Sequence, residues 1–229
     1  MFETITLEIA NQKATITLNR PEVYNAFNEQ MKKELLEALK ETEKNKEVRV
    51  VVITGSGKAF CSGQDLKEVM MNPNRSLAES LRNGYNPIIR SMRNMPKPVI
   101  CRLNGVAAGA GCSVALACDM IIAAEEASMT EIFINIALVP DSGSSYFLPR
   151  IVGSARAFEL ATTGRKVSAK EASEFGIINK VVKLEALDAA VEEARAGRLR
   201  GAVQAPRSAG SPQGRSWTRP PGTVAEVKL

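Results

Sequence analysis

The chain has 229 residues, 45% of them hydrophobic and 24% charged, enough apolar material for one globular domain. It contains no histidine, which excludes a Ser-His-Asp triad, a Cys-His dyad and histidine-ligated metal, and leaves proton transfer to Asp, Glu, Lys, Tyr, Cys or water. The formal net charge is +5, but residues 196–229 hold six basic residues and one acid, so 1–195 are formally neutral and no basic face for nucleic acid is indicated. No apolar run approaches the ~18 residues that cross a membrane. Cys61, Cys101, Cys112 and Cys118 match no zinc spacing and read as free thiols, so a cytoplasmic protein is expected.

In chain order, residues 4–10 and 13–19 alternate apolar with polar and predict a hairpin turning at Asn11-Gln12, so the N-terminus reads as a strand and not a signal peptide. Residues 28–45 place Met31, Leu35, Leu36 and Leu39 on one helical face, with Asn28 as cap. The run 48–55 (VRVVVITG) suits a central parallel strand. Residues 76–95 are helical in pattern, with a break expected before Pro87. A strand over 97–105 leads to a buried helix at 107–118 entered through glycine, then a strand at 119–125. Helices over 154–164 and 168–176, each closed by glycine, a strand over 177–183 and a helix over 184–195 complete an α/β pattern. From 196 the composition changes to five Gly and four Pro in 34 residues without apolar periodicity. The expected organisation is a core over 1–195 and an atypical Arg/Gly/Pro-rich tail over 196–229, disordered or translated from another reading frame.

Two glycine-containing loops follow strands: GKAFCSGQDL at 57–66 and NGVAAGAGCSVAL at 104–116. Small residues at such strand-to-helix turns let a ligand approach backbone N–H groups, which bind an anion or a developing oxyanion; they also serve close helix–sheet packing. Together with LNRPEVYNAF at 18–27, KPVI at 97–100, LVPDSGSSYFLPRIVG at 138–153 and TGRKVSAKEASEFGIINKVV at 163–182, they make the chain resemble the crotonase (enoyl-CoA hydratase/isomerase) superfamily. The resemblance implies a spiral of ββα units with atypical or missing C-terminal helices, an acyl-CoA thioester substrate, no separate cofactor, no metal, no nucleic-acid or membrane partner, and assembly as a homotrimer or hexamer. It implies that the N–H groups of Gln64 and Ala110 form an oxyanion hole, and that CoA lies against Val23, Ser62, Asp65 and Leu66.

The acids decide the subfamily. The resemblance implies that hydratases carry one glutamate three residues after the middle of the Gly-x-Gly motif, here Ser113, and another twenty residues on, here Phe133; both are absent, with Glu131 nearby. What remains is Asp141, in a Pro-Asp-Ser-Gly segment that resembles the 1,2-epoxyphenylacetyl-CoA isomerase branch. Asp141 is therefore expected as acid and base in a ring-epoxide or double-bond isomerisation through a thioester enolate. Locally, Pro-Asp-Ser-Gly also fits a helix N-cap near Ser142. Enoyl-CoA hydratase and a non-catalytic acyl-CoA-binding homologue are the alternatives. Cys61 and Cys112 read as packing thiols, and Tyr85 and Tyr146 as core aromatics or walls of an acyl pocket.

Overall fold

The computed structural model describes residues 2–71 and 76–202, with side chains to Ala196. The expected hairpin is β1 (Ile5–Ala10) and β2 (Lys13–Leu18), antiparallel, with Asn11 and Gln12 at φ of 52° and 63°. Two left-handed residues make a turn whose twist matches that of the strands. Helix α1 (Glu29–Lys44) starts where the Asn28 side chain accepts a hydrogen bond from the Met31 N–H at 2.8 Å, and it buries Met31, Leu35 and Leu39.

The chain then repeats one course three times. Strand β3 (Val50–Gly55) runs into β4 (Ala59–Cys61) and then α2 (Leu66–Met71). After α3 (Leu77–Glu79), a π-helical segment (Ser80–Tyr85) and α4 (Asn86–Asn94), β5 (Val99–Leu103) runs into β6 (Val106–Ala108) and then α5 (Ala110–Ala117). Strand β7 (Met120–Ala124) runs into β8 (Ser128–Thr130) and then a 3-10 helix (Ile132–Ile136). The remaining elements are α6 (Ser144–Val152), α7 (Ser154–Thr163), β9 (Val167–Ser168), α8 (Ala169–Glu174), β10 (Lys180–Val182) and α9 (Leu187–Ala202). The first strand of each pair joins a six-stranded sheet of order β1-β2-β3-β5-β7-β10, and the second joins a four-stranded sheet of order β4-β6-β8-β9. This is the spiral of ββα units that the sequence led us to expect.

The two faces of the large sheet explain its apolar runs. Val50, Val52, Ile100, Ile122 and Ala124 pack with Leu187, Ala190 and Val191 of α9, whereas Val51, Ile53, Val99 and Cys101 face the main core with α1, α4 and the small sheet. A strand buried on both faces has no reason to alternate. The expected break before Pro87 is instead a π-helical segment: helical backbone continues through it into α4, and the wider turn accommodates Pro87, the second residue of α4. Helix α9 passes 195 and reaches Ala202, and the rest of the expected tail lies outside the described residues. Among the described residues no helix is long and apolar enough to cross a membrane.

Passage between the sheets leaves backbone groups without ladder partners, and two asparagines replace them. The buried Asn25 donates to the carbonyls of Ser56 (2.9 Å) and Ala59 (2.8 Å) and accepts from the Arg20 N–H (2.9 Å). Asn104 donates to Gly57 and Ala59 carbonyls, both at 3.1 Å, and accepts from the Gly55 N–H at 3.1 Å. Replacing Asn104 by Ala removes the acceptor of the buried Gly55 N–H, while the Ala59 carbonyl keeps Asn25. At about 1–3 kcal/mol for such a group, we expect N104A to lose about 1–3 kcal/mol in urea unfolding.

Candidate functional site

Strands β4, β6 and β8 run parallel, so the turns that follow them emerge at one edge of the small sheet. The first two turns touch at Gly63. Its φ is 101°, and a Cβ there would stand 2.9 Å from the Ala108 carbonyl oxygen and 3.5 Å from the Ala110 nitrogen, so only glycine fits. Gln64 follows, with its side chain fixed at both ends: Nε2 donates to the Phe27 carbonyl at 2.9 Å, and Oε1 accepts from the Tyr85 hydroxyl at 2.8 Å. Ala110 opens α5, so its N–H lies outside the intrahelical ladder at the positive end of a fully buried helix. The site thus offers two backbone turns and a helix N-terminus to a polarised oxygen. Cys61 braces the first turn, its sulfur accepting from the Gly63 N–H at 3.4 Å, and burial pushes its thiol up to about 12, so it stays protonated.

The acids come from the next turns. Ser113 and Phe133 are both buried and provide no carboxylate. The Ser113 hydroxyl donates to the Asp141 backbone carbonyl at 3.1 Å, which seats the Asp141 turn on α5 one turn from Ala110. That turn carries Ser142 at φ 50° and Gly143 at φ 86°, and a Cβ on Gly143 would stand 2.6 Å from the Phe147 ring. The N-cap alternative for Asp141 does not hold: the cap of α6 is Gly143, with no side-chain cap bond. The Asp141 carboxylate accepts instead from the Ser142 hydroxyl at 2.8 Å. Burial raises its pKa above the ordinary carboxylate value, and the Ser142 bond opposes this in part. Glu131, directly after β8, is 4% exposed, and neither carboxylate oxygen has a hydrogen-bond partner within bonding geometry. Burial also raises its pKa, with a further push from the Asp141 carboxyl, against smaller lowering by nearby Ser144 and Cys112.

The residues expected to hold CoA gather at the outer rim of the first turn. Ser62 donates from its backbone N–H to the Tyr24 carbonyl (3.0 Å) and from its hydroxyl to the Val23 carbonyl (3.3 Å). Asp65 accepts from Arg20 at 2.9 Å and from the Lys67 and Glu68 N–H groups at 3.1 and 3.4 Å, capping α2. Burial works to raise its pKa, but the Arg20 bond and the backbone donors bring it below the ordinary value. Leu66 is 52% exposed beside it. Tyr85 is core, edge-on to Phe27, whereas Tyr146 is half-buried with the Arg150 guanidinium over its ring.

Residues 8–205 match the family described as enoyl-CoA hydratase/isomerase. A 1,2-epoxyphenylacetyl-CoA isomerase from Escherichia coli (strain K12) is 43% identical over 199 residues, which is 85% of this chain and 76% of the relative. The chain belongs to the enoyl-CoA hydratase/isomerase family. A trans-2-decenoyl-[acyl-carrier-protein] isomerase from Streptococcus mutans is 35% identical over 88% of this chain and 78% of its own length. The solved structure of an enoyl-CoA hydratase from Mycobacterium smegmatis superposes with a TM-score of 0.80 at 36% identity, over 85% of this chain and 76% of that one. Relatives named as isomerases and a solved structure named as a hydratase thus both resemble this chain.

Relative to the sequence reading of this family member, the structure adds three features. Tyr85 secures Gln64, Arg20 pairs with Asp65, and Glu131 faces inward. The second had a signal, an arginine in LNRP and an aspartate in SGQD; the other two depend on tertiary packing alone. Asp65 yields a pH-dependent test. A carboxylate with a lowered pKa stabilises the fold above its unfolded value and loses that contribution as pH falls through its folded value. Asp65→Asn is expected to cost about 1–3 kcal/mol at neutral pH, with the gap to the parent closing in acid when both are unfolded in urea across a pH series.

Proposed function

We propose that this chain is an isomerase of acyl-CoA thioesters, with the Gln64 and Ala110 N–H groups as oxyanion hole and Asp141 as acid and base. The observation that carries the reading is the meeting of the β4 and β6 turns at Gly63 beside Ala110, with the turn of the half-buried Asp141 bonded through Ser113 to the same helix and no acid at positions 113 and 133. The isomerase names of the Escherichia coli and Streptococcus mutans relatives support it.

In a double-bond shift, the thioester oxygen accepts hydrogen bonds from the two N–H groups. Asp141 takes a proton from the carbon α to the carbonyl, and the C–H electron pair passes into the enolate, whose charge the two donors stabilise. Asp141 then returns the proton to the γ carbon. Atoms and charge balance without a further reactant, and a ring-epoxide rearrangement uses the same polarised thioester. Burial, by raising the Asp141 pKa, makes it a stronger base than a solvated aspartate. The CoA portion follows the rim of Val23, Ser62, Asp65 and Leu66. The reading includes assembly of copies as a trimer or pair of trimers, supported by exposed Ile134, Ile136, Val139 and Phe158 around the 3-10 helix and α7. Its four described cysteines are free and buried, which suits the cytoplasm.

The test is to incubate the protein with a 3-enoyl-CoA and a 2-enoyl-CoA and follow products by mass and ultraviolet absorbance. Isomerisation at unchanged mass is expected, and clean addition of water overturns the assignment in favour of a hydratase. Asp141→Asn is expected to slow isomerisation by about 10²–10⁴-fold while acyl-CoA still binds. Binding without turnover in the parent supports the non-catalytic alternative. Gly63→Ala, which drives a methyl into the second turn, is expected to cost about 10²-fold in kcat/KM by displacing a donor.

A further inference from the structure

The three parallel strands of the small sheet end in a row, and the third end has no role so far. Gln64 lies just beyond β4, Ala110 just beyond β6 and Glu131 directly after β8. The register ties the last two: Ala108 pairs with Thr130, and the Gly109 N–H donates to the Thr130 carbonyl at 3.0 Å. Glu131 therefore occupies, in the third turn, a place like that of the backbone donors in the first two.

Its surroundings are dry and poor in donors. Glu131 is 4% exposed, and both carboxylate oxygens and the neighbouring Ser144 hydroxyl are buried without a hydrogen-bond partner. The titratable and polar groups bearing on it are the Cys112 thiol from α5 and Asp141 and Ser144 from the turn into α6. No described lysine or arginine forms an ion pair with it. A buried carboxyl with no cation, and with only a hydroxyl and a thiol near it that are not in bonding geometry, keeps its proton, and two carboxyl groups in one site do not both ionise cheaply. Of the two, Asp141 has the hydroxyl donor and the greater exposure, so the charge belongs there.

We propose that Glu131 is a second carboxyl group of the site, holding its proton beside the Asp141 carboxylate so that the pair carries one negative charge. Its catalytic consequence rests on the reading of Asp141 as base; the protonation itself does not. When Asp141 takes the substrate proton the pair becomes neutral, and the single charge has moved to the thioester oxygen. An ionised Glu131 would instead keep a second anion beside the enolate. Glu131 is thus a positioning residue for charge, acting through Asp141.

The experiment uses the full chain and Glu131→Gln, which matches the neutral acid in shape. Infrared difference spectra of the ligand-free proteins at neutral pH are expected to show a protonated carboxyl band in the parent that is missing in E131Q. Absence of that band overturns the proposal. Should E131Q not fold, the band in the parent and in Asp141→Asn decides: removing the neighbouring charge is expected to shift its loss to lower pH with D141N, and no band in either overturns the proposal. A raised carboxyl pKa favours the fold at low pH and ceases to do so as pH rises through it. Urea unfolding is therefore expected to show the parent losing stability relative to E131Q as pH rises from the ordinary carboxylate value through the folded one; a constant difference counts against the proposal. With a 3-enoyl-CoA, the E131Q-to-parent rate ratio is expected to climb with pH, towards about tenfold per unit once Glu131 ionises. A flat ratio overturns the catalytic part. A protonated Glu131 in a protein that does not isomerise sinks the proposed function and leaves this inference standing, and the converse result does the reverse.

Discussion

The carbonyl of Ala59 accepts hydrogen bonds from two buried asparagines, Asn25 at 2.8 Å and Asn104 at 3.1 Å. It sits where the chain leaves the large sheet for the small one, in an interior where an unpaired backbone group is expensive. Asn25 comes from the loop after the hairpin and Asn104 from the end of β5, so the same contacts tie the first turn of the spiral to the second. With that corner fixed, β4 lies against β6, Gly63 lies against Ala108, and two strand-to-helix turns are brought within a few ångströms. The candidate oxyanion site is a consequence of satisfying backbone polarity at a sheet-to-sheet crossing.

The long elements were legible because periodicity reports burial. The hairpin alternates because one face is covered, and β3 does not because α9 and the main core cover both. The small sheet was not legible. Its strands are two or three residues long, too short for a period of two to register, and they are held by neighbours distant in sequence. Pro87 was read as a helix break because the proline is visible, whereas the π-helical turn that absorbs it depends on packing around Tyr85. The two glycine loops marked the turns that meet at Gly63, and only the family resemblance singled out Gln64 and Ala110 within them. Glu131 stood out in the sequence only as an acid near position 133; that its side chain is buried depends on the packing around it.

The Asp141 turn shows two electrostatic preferences in competition. A helix N-terminus favours a carboxylate, and capping would have placed Asp141 there. The backbone instead adopts left-handed conformations at Ser142 and Gly143, which carry the Asp141 side chain away from the N–H groups of α6. The carboxylate keeps one hydroxyl donor and meets a burial cost that raises its pKa. A positive φ at a non-glycine residue costs energy, and its persistence here is understandable if the turn aims Asp141 at the site rather than at the helix.

Backbone donors and carboxyl groups are placed by different parts of this fold, and that separates fold from reaction. The proposed donors, the N–H groups of Gln64 and Ala110, lie just past the ends of parallel strands and are placed by register and by Gly63. The carboxyls come from the turns around them: Glu131 and Asp141 carry them here, and Ser113 and Phe133 do not, so one substitution changes their number without moving a strand. A relative named as an isomerase and a solved structure named as a hydratase can therefore both resemble this chain over most of its length. On the proposed reading, the number of carboxyls beside the two donors and which of them is charged separate one reaction from another, so the protonation of Glu131 and Asp141 distinguishes activities that the similarity of the whole chain does not.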